Sequence, residues 1–307
     1  VYHARTLTAA LLATPACSLV NSFAELPREG PPGAGGMAAP AVSGVGGETA
    51  ASGGSGGAVT SGGGTASTSG PDLPCPRGMG PPMIDLGEYC IDATEVTRSQ
   101  YLAFLQSGAT PFSVPAAMGC SFNATFTPST EWEPMTTPMW GQRPVVGVDW
   151  CDAHAYCQWA GKRLCGKIGG GPSSFAFPGD ETGQWYRACS NGVGTRYPYG
   201  ERYDATRCVG ADYNGVTGAD EGDASHSPGT AEGCHGVGSP FDLIYDLSGN
   251  VTEWEDACNA ASGQGDKCLR RGGDFKSVAS GELQCKDNSW STRETATDAI
   301  GFRCCSG

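Results

Sequence analysis

Positive charge is scarce in this chain. Its 19 Lys and Arg face 32 Asp and Glu, a formal net charge of -13 over 307 residues. A nucleic-acid partner needs a basic stripe that neutralises phosphates, and scattered cations supply none, so that class is excluded. Long apolar runs are missing too; no stretch approaches the ~18 residues of a spanning helix, which leaves a lipid anchor as the only membrane attachment to consider. Histidine is sparse, with His3, His154, His226 and His235 in no transition-metal spacing. No paired C-x-x-C spacing of a zinc site occurs, and no Ser-His-Asp grouping carries a nucleophile elbow, so hydrolytic chemistry has no support.

What the chain does hold is 15 cysteines and 48 glycines. That many cysteines without metal spacing predict an exported, disulfide-bonded protein, either in a bacterial cell envelope or secreted. The glycines are uneven. Between Glu29 and Pro71 the text is nearly all Gly, Ala, Ser, Thr and Pro, as in "GGETAASGGSGGAVTSGGGTASTSG". Such a segment cannot bury enough apolar surface to offset the entropy of ordering, so 18–73 is predicted to be a flexible tether. Ahead of it, "VYHARTLTAALLATPACSLV" has a basic start, a short apolar run and small residues before Cys17. This pattern resembles a bacterial lipoprotein signal over 1–17, with Cys17 as the lipidated residue; an ordinary secretory signal is the alternative. Setting Cys17 aside leaves 14 of the 15 cysteines, an even number able to pair. Residues 74–307 then form one domain of ordinary size.

Within that domain three stretches predict helices. "EVTRSQYLAFL" puts Tyr101, Phe104 and Leu105 on one face, and "DWCDAHAYCQWAGKRL" does the same with Ala153, Tyr156, Cys157 and Ala160. The second has Asp149 or Asp152 as N-cap and Gly161 after its end. "DETGQWYRACSNG" is a third, shorter candidate. The rest reads as loops and short strands held by cross-links.

The segments "IDATEVTRSQYLAF", "RPVVGVDWCDAHAYCQWAGKRL", "WYRAC", "YPYG", "VGSPFDLIYDLSGNVTEW", "RRGGDF" and "IGFRC" run in one order, within a match from about Ile84 to Cys304. In that order they resemble the formylglycine-generating enzyme family, also called the sulfatase-modifying factor domain. The resemblance implies an irregular α+β fold related to C-type lectins, with little regular secondary structure and often bound calcium. It also implies a disulfide between Cys157 and Cys304. Proximity alone suggests Cys75 with Cys90, Cys165 with Cys189, and Cys258 with Cys268.

The family's best-known activity oxidises a substrate cysteine to formylglycine with O2 and a copper(I) ion held by two thiolates, in a C-x4-C arrangement after R-G-G. Soft Cu(I) needs both sulfurs. Here the text is "RRGGDFKSVASGELQCKDNSWSTR". Counted forward from Gly273, the two positions hold Ser277 and Glu282; counted back from Arg293, they hold Ser280 and Cys285. Either register loses a thiolate, so copper is not expected, and Asp274 replaces the usual serine after R-G-G. The weak catalytic candidate is Cys285, for which a structural disulfide is the plainer reading; the vicinal pair Cys304 and Cys305 is the other available sulfur. A glycine-rich segment, "CGKIGGGPSSFAFPGDETGQW", also departs from the family, and its Cys165 suggests a loop pinned covalently.

In "DLSGNVTEWEDAC" the resemblance implies a calcium site formed by the Asp246 and Glu253 side chains and the Gly249 and Val251 carbonyls. Hard oxygen donors of this kind suit calcium, while a solvated acidic turn is the alternative. A second calcium site near Val209, Asp212 and Asn214 is not assigned. Two functions follow. One is a non-catalytic module that binds a peptide, glycan or envelope or extracellular protein. The other is a metal-dependent oxidoreductase of the formylglycine-generating type with a rebuilt site.

Overall fold

The computed structural model describes residues 75–111, 118–129, 138–213, 224–278 and 280–307. The signal expected over 1–17 with Cys17, the tether over 18–73 and Asn214 lie outside the described residues. No helix among the described residues is long and apolar enough to cross a membrane.

Regular structure is sparse, as an α+β reading requires. One sheet contains β1 (Met83–Asp85), β2 (Cys90–Asp92), β3 (Arg163–Leu164) and β8 (Cys304–Ser306), in the antiparallel order β1-β2-β8-β3. The second contains β4 (Thr252–Cys258), β5 (Lys267–Arg271), β6 (Trp290–Thr292) and β7 (Ile300–Gly301), in the order β6-β5-β4-β7, with β7 parallel to β4. Among the described residues four helices accompany them: α1 (Arg98–Gln106), α2 (Pro138–Gly141), α3 (Trp150–Trp159) and α4 (Gln184–Cys189).

The helix starts follow from capping chemistry. Thr97 and Gln100 satisfy each other's backbone N–H groups at the start of α1, and Asp149 and Asp152 do so at the start of α3. Asp149 is therefore the N-cap and Asp152 its reciprocal partner. Gly161, just past α3, takes a φ of +72°, the left-handed turn that ends a helix without strain on glycine. The third predicted helix is six residues long in α4, preceded by Gly183, which supplies no side-chain cap.

Between α1, α3 and β4 lies the main core. Tyr101 stacks on Tyr156 at 5.6 Å, and Phe104 and Phe302 pack edge-on around them. Trp150, Trp185 and Trp254 are fully buried. Burying each such ring contributes on the order of 2–3 kcal/mol. Their indole N–H groups are satisfied: Trp150 donates to the Glu255 carbonyl at 2.9 Å and Trp254 to that of Val148 at 3.1 Å.

Seven disulfides join the described cysteines, and the strand pleat explains the least obvious two. Successive residues of a strand point to opposite faces, so adjacent Cys304 and Cys305 of β8 serve different sides. Cys304 bonds Cys157 of α3 in the main core, while Cys305 bonds Cys165 just beyond β3 in a second apolar cluster. Cys165 is thereby taken, which corrects the expected Cys165 to Cys189 pairing. Cys189 instead bonds Cys285. Cys75 pairs with Cys90, Cys120 with Cys151, Cys208 with Cys234 and Cys258 with Cys268. Each cross-link lowers the entropy of the unfolded chain, the more so for the long loops closed by the pairs of β8.

Candidate functional site

Two places in this framework carry chemistry, and the glycines after Arg271 sit between them. At Gly272, with a φ of +87°, a side chain would press on the Leu247 carbonyl at 3.1 Å and on the Trp185 ring at 3.2 Å. At Gly273 it would meet the Glu282 carbonyl, Leu283 and the Ser277 hydroxyl, each at 3.0 Å. The first glycine lets the strand seat on the acidic turn. The second lets two distant parts of the loop, 277 and 282–283, converge on one spot.

That convergence forms a cavity of about 180 Å³. Gly273, Asp274, Ser277 and Glu282 line it together with Arg270, Lys276, Asp287 and Ser289. Asp274 and Ser277 close a tight turn: the Asp274 N–H donates to the Ser277 hydroxyl at 3.1 Å and the Ser277 N–H to the Asp274 carbonyl at 3.0 Å. The forward count after R-G-G thus has a physical counterpart, since Ser277 and Glu282 face one cavity. The backward count does not: Cys285 is fully buried and bonded to Cys189, which removes the single thiol from use. Arg271 fixes this wall by donating to the Cys285 carbonyl at 3.2 Å and to the Pro178 carbonyl at 2.5 Å. Through Pro178 the glycine-rich segment after Cys165 is drawn against the same wall.

Inside the cavity, burial raises the Asp274 and Asp287 carboxyls above their ordinary range, with Arg270 among the groups acting against it. Asp287 accepts from the Ser289 N–H and hydroxyl, and Lys276 is drawn outward to Asp298 at 2.7 Å. Arg270 is different. Its Nε is buried and has no hydrogen-bond partner among the described residues.

The second place is the turn 246–253. Asp246, Gly249 and Asn250 all take left-handed conformations, with φ of +58°, +76° and +61°. The backbone there is fixed from both sides, because a side chain at Gly249 would sit 2.3 Å from the Val209 carbonyl. The turn is not solvated; Asp246, Val251 and Glu253 are each at most 2% exposed. Glu253 accepts from Arg303 through both oxygens, at 2.7 and 2.8 Å, and from the Trp185 indole at 2.9 Å. Asp246 accepts from the Gly229 N–H at 2.5 Å.

A residue from far earlier in the chain completes the group. Glu95, fully buried, receives the Asn250 amide at 2.9 Å on one oxygen, while its other oxygen lies 3.9 Å from Arg303 and has no hydrogen bond. Three buried carboxylates therefore share one guanidinium. Burial raises Asp246 to about 7 and holds Glu95 well above the carboxylate range, with Asp246 adding to the effect on Glu95. Sequence reasoning missed Glu95, Arg303 and Arg270. The "GFR" text marked Arg303 only as part of a motif, and nothing local to "ATEVT" links Glu95 to a turn 150 positions on.

The turn fits the calcium implied by the resemblance in donor chemistry. Its side chains are hard oxygens, it carries more negative than positive charge, and Glu95 has an unsatisfied oxygen beside it. Asp246, with Glu253 and the Gly249 and Val251 carbonyls, would hold such an ion, and Glu253 would share it with Arg303. Among the described residues the tight group of metal-type side chains is Cys75, Asp85 and Cys90, whose two sulfurs are joined to each other; the carboxylates of the turn are not drawn as close together.

Residues 51–306 match the sulfatase-modifying factor enzyme 1-like domain. The Bos taurus protein named inactive C-alpha-formylglycine-generating enzyme 2 is 32% identical over 177 residues, covering 53% of this chain and 50% of that one. The Mus musculus formylglycine-generating enzyme is 28% identical over 185 residues, covering 52% of this chain and 43% of that one. The chain thus spans about half or less of the length of these curated relatives. Among solved structures, PvdO from Pseudomonas aeruginosa aligns at 18% identity over 74% of this chain and 89% of that one, with a TM-score of 0.42. The matched span of 51–306 is well over half of the sequence, and the chain belongs to the sulfatase-modifying factor enzyme 1-like family.

Proposed function

We propose that this domain is an exported binding or display module rather than an oxidase. One observation carries the reading: the cavity after R-G-G presents Ser277 and Glu282 where the family places two thiolates, and the nearby Cys285 is spent in a disulfide. A hydroxyl and a carboxylate are hard donors and a poor match for a soft monovalent ion. The name of the bovine relative, which describes that protein as inactive, is in keeping with this. Export is supported by the cysteine usage, because disulfides persist in oxidising compartments. Calcium, held at the turn 246–253, serves as a structural ion that offsets the buried negative charge. The partner is a peptide, glycan or protein of the envelope or extracellular space.

The oxidoreductase reading is favoured by a different observation, the open cavity at the same loop, and by the mouse relative's name. Both readings are tested by one pair of measurements on the purified chain. The module binds no stoichiometric Cu(I) and yields no aldehyde from a cysteine peptide in the presence of O2. Copper at one equivalent, or aldehyde seen by mass spectrometry, overturns it.

A further inference from the structure

The start of the domain holds a group of side chains that neither functional reading uses. Cys75, Asp85 and Cys90 bring two sulfurs and a carboxylate oxygen within 4.8 Å of one another. Strand register explains the convergence. Asp85 of β1 lies directly opposite Cys90 of β2, so their side chains stand together on one face of the sheet, and the disulfide brings Cys75 to the same spot. Asp85 is exposed, and one of its oxygens accepts from the Gly87 N–H at 2.7 Å, which fixes the carboxylate at the hairpin and leaves the other oxygen free among the described residues. Access singles this disulfide out. Among the bonded cysteines of the described residues, Cys75 and Cys258 are half-buried and the rest are buried. No group of three metal-type side chains forms around the Cys258 pair. Thiol–disulfide exchange needs an approachable sulfur, and Cys75 offers one. The bond closes only 15 residues, against 140 and 147 for the two pairs of β8, so its loss restores less chain entropy than theirs. Once the bond is open, two thiolates and a carboxylate match zinc, with water in the fourth position. Two sulfurs on a tetrahedral zinc lie roughly 3.8 Å apart, from Zn–S distances of ~2.3 Å. That separation falls within the span of this group. Thiolates disfavour calcium and magnesium, and the carboxylate disfavours Cu(I).

We propose that Cys75, Asp85 and Cys90 form a redox-gated zinc site, closed while the disulfide stands and opened by a dithiol reductant. A thiolate of the dithiol attacks the Cys75 sulfur, the Cys75–Cys90 bond breaks, and Cys90 leaves as a thiolate. The second sulfur of the dithiol then displaces Cys75 and departs as a disulfide. Two electrons have passed from the dithiol to the protein's sulfur pair. Zinc takes both thiolates and Asp85, and the two protons of the dithiol go to solvent. In an oxidising compartment the site stays closed, so zinc uptake reports the loss of that environment. The inference goes beyond the binding-module reading and does not depend on it.

The test is graded reduction of the full chain with a phosphine in the presence of zinc, followed by alkylation and peptide mapping. Cys75 and Cys90 are expected to be freed before the buried pairs of Cys157, Cys165 and Cys189. At that stage the chain should retain one zinc through gel filtration, and cadmium in its place should give an ultraviolet thiolate-to-metal absorption band. Asp85→Asn should weaken zinc at least tenfold while the melting temperature and disulfide content of the oxidised chain stay those of the unaltered one. This variant keeps an acceptor for the Gly87 N–H at an exposed position, so its folding is not in question. Cys75→Ser should abolish the cadmium band. No zinc on the reduced chain overturns the proposal. So does zinc held equally by Asp85→Asn or by the oxidised chain, or a Cys75–Cys90 bond that opens only together with the buried pairs. The copper and aldehyde measurements are made on the oxidised chain, so their outcome and this one are independent.

Discussion

The cavity after R-G-G and the turn 246–253 are neighbours through Gly272, yet they are built on opposite principles. In the turn every charged group is buried, shared and fixed: Glu253 is gripped by Arg303 and Trp185, and the backbone is held in three left-handed conformations. In the cavity the charged groups are partly exposed, and one donor is left unmet. The contrast separates a closed network that holds the domain from an open, polar cavity. Ser277 and Glu282 stand at the open place, where replacement should cost little stability. The acids at the closed place are bound into the core, where replacement costs a great deal.

Removing one arginine from each region sharpens this contrast most strongly. Arg303→Met leaves Glu95, Asp246 and Glu253 buried with no cation and should cost about 3–5 kcal/mol in chemical denaturation. Arg270→Met at the cavity should cost less than about 1 kcal/mol. Equal losses would show that the cavity is as structural as the turn.

Acid pH tests the buried side of the comparison through His154, which lies in α3 stacked on Trp150 at 5.1 Å. Burial, helped by Arg293, lowers its pKa from 6.5 to about 4. The unfolded chain takes up this proton below 6.5, whereas the folded one resists until about 4. Stability from this group is therefore lost as pH falls through that window, by up to about 3 kcal/mol. Asp149 and Asp256, both raised by burial to about 6, act in the opposite sense, gaining stability as pH falls through the same range. Comparing the unaltered chain with His154→Gln isolates the histidine: the variant should lose less stability between pH 6.5 and 4. Identical pH slopes would remove this account of His154.

Metal at the turn should act less strongly than loss of Arg303. If calcium offsets the charge there, chelation lowers the melting temperature, and adding calcium at a hundred times its dissociation constant restores about 2.7 kcal/mol. Melting that ignores both chelator and calcium removes the ion and leaves Arg303 as sole compensation.

Much of the frame was legible in the sequence because it is local. The capping pairs Thr97 with Gln100 and Asp149 with Asp152 are three residues apart, and the helices follow from them. Turn 246–253 was readable for the same reason, being one continuous segment. What escaped was set by long-range convergence. Glu95 meets Asn250 across 155 positions of chain, and Arg303 enters from just ahead of β8. Cys165 finds Cys305 because a two-residue strand fixes its register, something spacing along the chain cannot encode. Likewise the cavity draws on Arg270, Ser277, Glu282 and Asp287, which share no helix or strand period.

The claim on which the rest depends is that no thiolate is available beside this cavity. Non-reducing digestion of the folded chain with an alkylating agent present, read by mass spectrometry, addresses it directly. A peptide pair linked through Cys189 and Cys285, with no alkylated cysteine between residues 75 and 305, is the predicted result. Recovery of Cys285 as an alkylated thiol, with Cys189 alkylated alongside it, would contradict the account and return a two-sulfur site to the protein.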